Sequence, residues 1–147
     1  MTERQRFRET LYQIELLKRR RVQSFLLDIG LTPGQGQARI LMYLSGHSMV
    51  SQKEIADSCM LDVTTLSRVL DKMEKMGLLL RERDARNRRA YMVRLTDQGI
   101  GKAEEVKEGF RQLEDMMCDG MSEQKVGEIT KTLLKVRDNL KAMGETG

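Results

Sequence analysis

Residues 51–95 constrain the fold of this chain more than any other stretch. Their first half has the pattern of two short amphipathic helices joined by a tight turn, and their second half has the pattern of a β-hairpin. Six arginines but only two acidic residues lie between positions 81 and 94, so this segment carries a charge of +4. The formal net charge of the whole 147-residue chain is also +4, so the remainder is neutral. A cation-rich hairpin beside a helix pair favours binding to a polyanion such as duplex DNA.

Capping signals set the limits of the helix pair. Ser51 begins a Ser-Gln-Lys-Glu capping box, and the helix that it opens is predicted to end near Cys59. Asp62 then caps a second helix that runs to about Met76, where Gly77 ends it. The apolar residues predicted on the inner side of this helix are Val63, Leu66, Val69, Leu70 and Met73. The polar residues predicted on its outer side are Thr64, Thr65, Ser67, Arg68, Asp71, Lys72 and Lys75.

The predicted hairpin follows this helix directly, with strands at residues 78–83 and 89–95. In the second strand, Tyr91, Val93 and Leu95 alternate with residues of the opposite face. The connecting loop, residues 84–88, is too polar to be packed inside. We therefore expect the loop to project from the domain.

A helix-turn-helix places its second helix in the major groove, about 12 Å wide in B-form DNA, where base edges are exposed. Arg68 has the forked guanidinium that suits guanine, and Thr64 or Ser67 is expected to contact bases or phosphates. The hairpin arginines suit a narrow minor groove, where the negative potential is enhanced. The candidate recognition-helix contacts are Thr64, Thr65, Ser67, Arg68 and Lys72.

Amphipathic helices are predicted on both sides of this region. Residues 2–5 have the form of a capping box and begin a long helix that ends at Gly30. A shorter helix is predicted to begin at Thr32, with Pro33 in its first turn and Gln35 closing another capping box. Its buried face is expected to consist of Ile40, Leu41 and Leu44.

The C-terminal third is predicted to form two helices, capped by Thr96 and Ser122. Apolar residues recur along both at alternating steps of three and four, which is the pattern of a heptad seam. The seam residues are Gly99, Ala103, Val106, Phe110, Leu113 and Met117 in the first helix, and Val126, Ile129, Leu133, Val136, Leu140 and Met143 in the second. Such regular stripes suit helix-on-helix packing, so we expect the termini to form a dimer interface.

These patterns predict a mainly α fold with a helix-turn-helix, a hairpin that follows it, and a dimer interface at the termini. One domain, residues 1–147, is expected from the length. Within it, residues 32–95 are assigned to the DNA-binding lobe, and residues 2–30 and 97–143 to the dimerisation helices.

Other function classes lack support in the sequence. No apolar run approaches the ~20 residues that span a bilayer, and the N-terminus lacks a signal-peptide apolar core, so we expect a cytoplasmic protein.

Cys59 and Cys118 form no Cys-x-x-Cys pair and are expected to be reduced thiols, with a redox switch as the alternative. His47 is the only histidine, so a zinc site or a histidine-dependent catalytic group would have to use this residue. Without a phosphate-cradling glycine loop, paired carboxylates in an apolar setting or a cluster of metal ligands, we expect no enzyme activity, no cofactor and no metal.

Several short motifs together resemble the MarR (multiple antibiotic resistance regulator) family. They are Thr-Leu-Ser-Arg at residues 65–68, Asp-Lys-Met-Glu-Lys-Met-Gly-Leu at residues 71–78, and Arg89 followed by Leu-Thr at 95–96 and by Gly99. Thr32 and Gln35 also fit the second-helix signature of that family. The resemblance covers essentially the whole chain.

The resemblance implies a homodimeric transcriptional regulator with a mainly α, winged helix-turn-helix fold and a helical dimerisation region formed by the N- and C-terminal helices. It also implies that the helix at residues 62–76 reads the major groove and that the wing at residues 84–89 enters the minor groove. The wing residues that it assigns to DNA are Asp84, Arg86, Asn87, Arg88 and Arg89. It further implies a repressor that binds a pseudo-palindromic operator and is released by a small-molecule effector, often aromatic or anionic. Members that sense oxidants do so through a cysteine in the first helix, and this chain has none there.

One position departs from the family pattern. Asn87 stands where the family usually has an aspartate, two residues before the wing arginine Arg89. The ionic clamp on Arg89 is therefore expected to be lost or to pass to Asp84, which affects wing rigidity more than DNA binding.

A second function class remains open at this point. The alternative to a DNA-binding regulator is a dimeric helical adaptor that binds an acidic protein partner through the hairpin. Salt-sensitive binding to duplex DNA, with a preference for an inverted repeat, would separate the two.

Overall fold

A computed structural model describes residues 1–87 and 90–146 of the chain. The elements are α1 (Glu3–Asp28), α2 (Gln37–Ser45), β1 (Val50–Ser51), α3 (Gln52–Cys59), α4 (Val63–Lys75), β2 (Leu79–Arg83), β3 (Tyr91–Leu95), α5 (Asp97–Met117) and α6 (Glu123–Thr146). The predicted mainly α, winged helix-turn-helix fold class is confirmed. The chain consists of two compact units, Met1–Arg111 and Gln112–Gly147. The narrower division into a DNA-binding lobe and dimerisation helices stays a prediction.

The first unit is built around a small antiparallel sheet with the strand order β1-β3-β2. Val93 lies in the central strand, opposite Val50 on one side and Arg81 on the other, and it is fully buried. The predicted hairpin is therefore confirmed, and β1 adds a third strand to it. Fully buried residues from α2, α3, α4 and the sheet form the core: Ile40, Leu41, Ile55, Leu70, Met73, Leu79 and Val93.

The start of α1 is as predicted, but the start of α2 is not. Thr2 and Gln5 form a reciprocal capping box at the N-terminus of α1. The box predicted at Thr32 and Gln35 is wrong, because α2 begins at Gln37 and the Gln37 side chain accepts from the Thr32 N–H at 2.9 Å. Gly36, in the left-handed region at φ 76°, caps α2 without a side-chain hydrogen bond. Glycines on both sides of Gln35 make this segment a turn instead of a first helical turn.

A tight junction joins α4, the hairpin and α5. Gly77 ends α4 with φ +81°, a conformation that side chains rarely adopt. The Thr96 hydroxyl donates to the Gly77 carbonyl at 2.6 Å and accepts from the Gly99 N–H at 3.0 Å. Gly99 packs so closely that an added Cβ would lie 1.8 Å from the Leu78 carbonyl oxygen. The junction therefore fixes the base of the hairpin against both helices.

The C-terminal end of α1 packs against α5. Phe25 and Phe110 meet edge to face with ring centroids 5.6 Å apart. The Lys102 ammonium donates to the carbonyl of Ile29, just after α1, at 2.6 Å. These contacts belong to the first unit and join the N-terminal helix to the start of α5.

The second unit is dominated by α6, which Ser122 caps through a 3.1 Å hydrogen bond from the Lys125 N–H. None of the side chains that the structure describes in α6 is buried. Of the predicted heptad residues, Val126 and Val136 are half-buried. The exposed seam residues are Ile129, Leu133, Leu140 and Met143.

Candidate nucleic-acid interface

The N-terminus of α4 is held by its cap residue. The Asp62 carboxylate accepts from the Thr65 backbone N–H at 2.8 Å and from the Thr65 hydroxyl at 2.7 Å. Hydrogen bonds from Thr65, first from its backbone N–H and then from its hydroxyl, lower the pKa of Asp62 because they stabilise the charged carboxylate. Because the Thr65 hydroxyl already donates to Asp62, it can only accept hydrogen bonds from a further partner. Its predicted role as a DNA contact remains a prediction.

The outward face of α4 carries the other candidate recognition residues. Thr64 and Arg68 are exposed, and Ser67 is half-buried beside them. The prediction for Val63 is wrong, because 69% of this residue is exposed instead of facing the core. Val63 is the first residue of α4, and the buried contacts of the helix begin only one turn later, at Leu66.

Lys72 interacts with the rest of the domain. Its ammonium donates to the Thr32 hydroxyl at 2.9 Å and lies 3.4 Å from the Gln35 amide oxygen. Lys72 thus links α4 to the turn before α2. Its predicted contact with DNA remains a prediction. Gly34 and Gly36, which flank Gln35, were the sequence signal that this segment is a turn.

The arginines at the base of the hairpin are paired with acidic residues. Arg81 is bonded to Asp71 and, at 3.2 Å, to Glu74, both on α4. Burial acts to lower the pKa of Arg81, but the bonds to these carboxylates outweigh it and raise the pKa above its ordinary value. Arg94 pairs across the hairpin with Glu82 at 3.1 Å. The positive charge of the segment is thus partly neutralised at its base.

Toward the tip, the described part of the hairpin presents cations and a hydrogen-bonded turn. The Arg83 guanidinium lies over the Tyr91 ring, 5.4 Å from its centroid, and Arg86 is exposed. Asp84 accepts from the backbone N–H of Arg86 at 3.0 Å, and its carbonyl accepts from the Asn87 N–H at 3.2 Å. Two of the predicted wing residues, Arg88 and Arg89, lie outside the described residues, and so does the predicted clamp on Arg89.

A cleft of about 480 Å³ opens between α3, α4 and the tip end of the hairpin. Its lining includes Ala56, Val63, Leu66, Ala90 and Tyr91, with Ser51, Gln52, Lys53, Asp57 and Asn87 as the polar members. Gln52 Oε1 is buried and has no hydrogen-bond partner among the described residues. The cleft is therefore an apolar depression with polar groups, on the side of α4 that faces the hairpin.

Cys59 and His47 are the other candidate reactive side chains. Cys59 is buried, and desolvation raises the pKa of its thiol, which disfavours the reactive thiolate. The His47 ring stacks on Tyr43 at a centroid distance of 4.4 Å. Among the residues that the structure describes, no group of three or more His, Cys, Asp or Glu side chains has the arrangement of a metal site. No helix in the described ranges is long and apolar enough to cross a membrane.

Comparisons with known proteins agree on one family. The model of the MarR family matches residues 34–91. The HTH-type transcriptional regulator MhqR of Bacillus subtilis (strain 168) is 30% identical over 112 residues, which are 76% of each chain. AbsC, a MarR family transcriptional regulator from Streptomyces coelicolor, superposes with a TM-score of 0.82 at 22% identity, over 97% of both chains. The S. aureus MepR–DNA complex superposes with a TM-score of 0.79 at 24% identity, over 95% of this chain and 98% of the other.

Proposed function

The chain belongs to the MarR family of transcriptional regulators, and from this premise we propose that it binds a pseudo-palindromic operator in double-stranded DNA as a homodimer. The observation that carries the proposal is the outward face of α4. There, Thr64, Ser67 and Arg68 lie on a capped helix beside a cation-bearing hairpin. Hydroxyl and guanidinium groups are side-chain types that hydrogen-bond to base edges in the major groove.

The charge distribution supports different roles for α4 and the hairpin in DNA binding. Arg81 and Arg94 are occupied by carboxylates at the base of the hairpin. Arg86 is exposed near the tip, where a phosphate backbone or a minor groove would be within reach. We therefore assign sequence readout to Arg68 and non-specific affinity to the wing. For the wing, we include Asp84, Arg86, Asn87, Arg88 and Arg89 in the proposed contact surface.

The exposed apolar residues of the terminal helices support the homodimer. On α1, Phe7, Ile14 and Leu17 are exposed, and on α6 the seam carries Leu133 and Leu140 at the surface. Apolar stripes of this length are costly to leave in water, and a second copy of the chain offers matching stripes. The C-terminal region is therefore proposed to be covered by a partner subunit.

Two narrower features of the proposal come from the family. We propose a repressor that a small-molecule effector releases from DNA, and we expect it to act in the cytoplasm. The S. aureus MepR–DNA complex gives a relative of the same fold bound to DNA, which supports the operator but not the effector. We propose that the protein has no enzymatic activity.

Selection of bound fragments from a random duplex library tests the proposed function. A two-fold dimer should enrich an inverted repeat with half-site centres about 10 base pairs apart, one helical turn. Inserting five base pairs at the centre turns one half-site to the opposite face of the duplex, so affinity should fall toward that of a single half-site. A library that enriches no sequence, or an insertion without effect, would contradict the proposal. The helical adaptor would bind an acidic protein and leave the library unselected.

A further inference from the structure

Val63 is an apolar side chain in the position from which a recognition helix meets base edges. It is the first residue of α4, and 69% of it is exposed. The first residues of a recognition helix are those that reach deepest toward the bases. We infer that Val63 is a specificity-determining residue that contacts the 5-methyl group of a thymine in each operator half-site. This inference rests on the proposed function.

The fold itself gives no reason for a valine at this position. Its neighbour one turn later, Leu66, fills the core, whereas Val63 is left in contact with solvent. A β-branched residue is a mediocre helix former, so Val63 does not stabilise the start of α4 through propensity. The cap is made by Asp62 and Thr65 without any help from Val63. An exposed valine here is therefore better explained by what the helix binds.

The chemistry of the first turn selects one feature of the bases. The Thr65 hydroxyl donates its proton to Asp62 and this residue is half-buried, whereas Val63 and Thr64 are exposed in the first turn of α4. Val63 can neither donate nor accept a hydrogen bond. In the major groove, thymine differs from the other three bases by its apolar C5-methyl group.

The surroundings of Val63 suit a methyl group. Ala56, Leu66 and Tyr91 line the same cleft as Val63, so a methyl that enters beside it meets apolar atoms on several sides. Removing about one methyl group from water contributes about 0.8 kcal/mol, a fourfold change in affinity. We expect an effect of that size for each half-site.

Replacement of thymine by deoxyuridine tests the contact, because it deletes the 5-methyl group and leaves base pairing intact. Thymines of the selected operator would be replaced one position at a time, symmetrically in both half-sites. For the parent protein, one position should lose about fourfold in affinity per half-site. For Val63→Ala, the same replacement should change affinity by less than about 1.5-fold, since the partner of the methyl is gone.

Two control variants make the assignment specific. Ile100→Ala truncates another exposed β-branched residue, on α5, and should keep the full sensitivity to deoxyuridine. Thr64→Ser removes the methyl group of the exposed threonine beside Val63 while keeping its hydroxyl. Whatever its overall affinity, this variant should keep the sensitivity to deoxyuridine. Unfolding midpoints equal to that of the parent would establish that the exposed substitutions leave the fold intact.

The outcomes separate this inference from the proposed function. If the operator binds but every thymine tolerates deoxyuridine, or if Thr64→Ser alone abolishes the sensitivity, the role of Val63 is overturned while the proposed function stands. If the parent protein selects no duplex at all, both are overturned. Sensitivity at one position that Val63→Ala removes would establish the contact.

Discussion

At the scale of single residues, similar side chains on one helix have different partners. Arg68 and Lys72 are one turn apart on the outer face of α4, and both are cations. Arg68 is exposed, whereas the Lys72 ammonium is bonded to the Thr32 hydroxyl at 2.9 Å. Periodicity predicts which side of a helix a residue occupies, but the direction of a long flexible side chain depends on groups 37 to 40 residues away. The bond from Lys72 to the turn before α2 could therefore not be read from the sequence.

The variant Lys72→Met tests whether the Lys72 ammonium holds α4 to the turn before α2. The variant keeps an unbranched side chain but removes the hydrogen bond that joins α4 to the turn before α2. We expect a loss of about 0.5–1.5 kcal/mol in the free energy of unfolding, measured in urea. Lys75→Met, at another exposed lysine of α4, is the control and should change stability less. Relaxed preference at a single base position in the Lys72→Met variant, with unchanged stability, would instead make Lys72 a base contact.

At the scale of the elements, the caps and the hairpin follow from local sequence, and the exceptions have physical causes. Asp62, Gly77 and Thr96 were predicted as helix boundaries, and each is one in the structure. These signals act within a few residues, so they can be read from the chain. The start of α2 was mispredicted. The Thr32 N–H was expected to bond to the side chain of Gln35, but it donates to the side chain of Gln37. The acidic partners of Arg81 lie on another element, so its neutralisation was not visible either.

Gly99→Ala tests the junction of α4, the hairpin and α5. The new Cβ would lie 1.8 Å from the Leu78 carbonyl oxygen, which is backbone and cannot rotate away. We expect the protein to lose about 1–3 kcal/mol in the free energy of unfolding. Gly101→Ala is a matched control on the same helix, because its Cβ would meet nothing within 4 Å. That control should gain up to about 1 kcal/mol from helix propensity. Equal stability of the two variants would contradict the close packing.

Arg86→Gln tests the hairpin as a source of non-specific affinity. Losing one phosphate contact should weaken cognate and random duplexes by the same factor and make the slope of log affinity against log salt shallower by about one. Arg94→Gln is the control within the same hairpin, and it should change the slope less because Arg94 is paired with Glu82. Parallel salt dependences for Arg86→Gln and the parent would mean that this part of the wing is not near phosphate.

At the scale of the whole molecule, the open issue is what covers the apolar residues of the terminal helices. The heptad seam was predicted from its spacing, and its residues on α6 that face solvent in the single chain include Leu133 and Leu140. A seam predicts that a helix packs on another helix, but a single sequence does not identify the partner. The homodimer therefore remains a proposal that a measurement of mass can test.

Leu133→Glu should shift the protein from dimer to monomer in sedimentation experiments, because it places a charge in the middle of the proposed interface. Thr132→Glu is the matched control, since it adds the same charge at the adjacent exposed position outside the seam. The monomeric variant should also lose its preference for an inverted repeat over a single half-site. A Leu133→Glu protein that remains dimeric at micromolar concentration would refute the proposed interface.

The affinity of Arg68→Ala for the selected operator and for random duplex tests the central claim most directly. If α4 reads sequence through this guanidinium, the variant should lose about 1–3 kcal/mol on the operator per half-site and almost nothing on random DNA. Its selected site should show relaxed preference at one position in each half-site. Arg6→Ala, which removes one exposed positive charge from α1, is the control and should preserve the preference. Equal losses on operator and random duplex for Arg68→Ala would contradict sequence readout by α4.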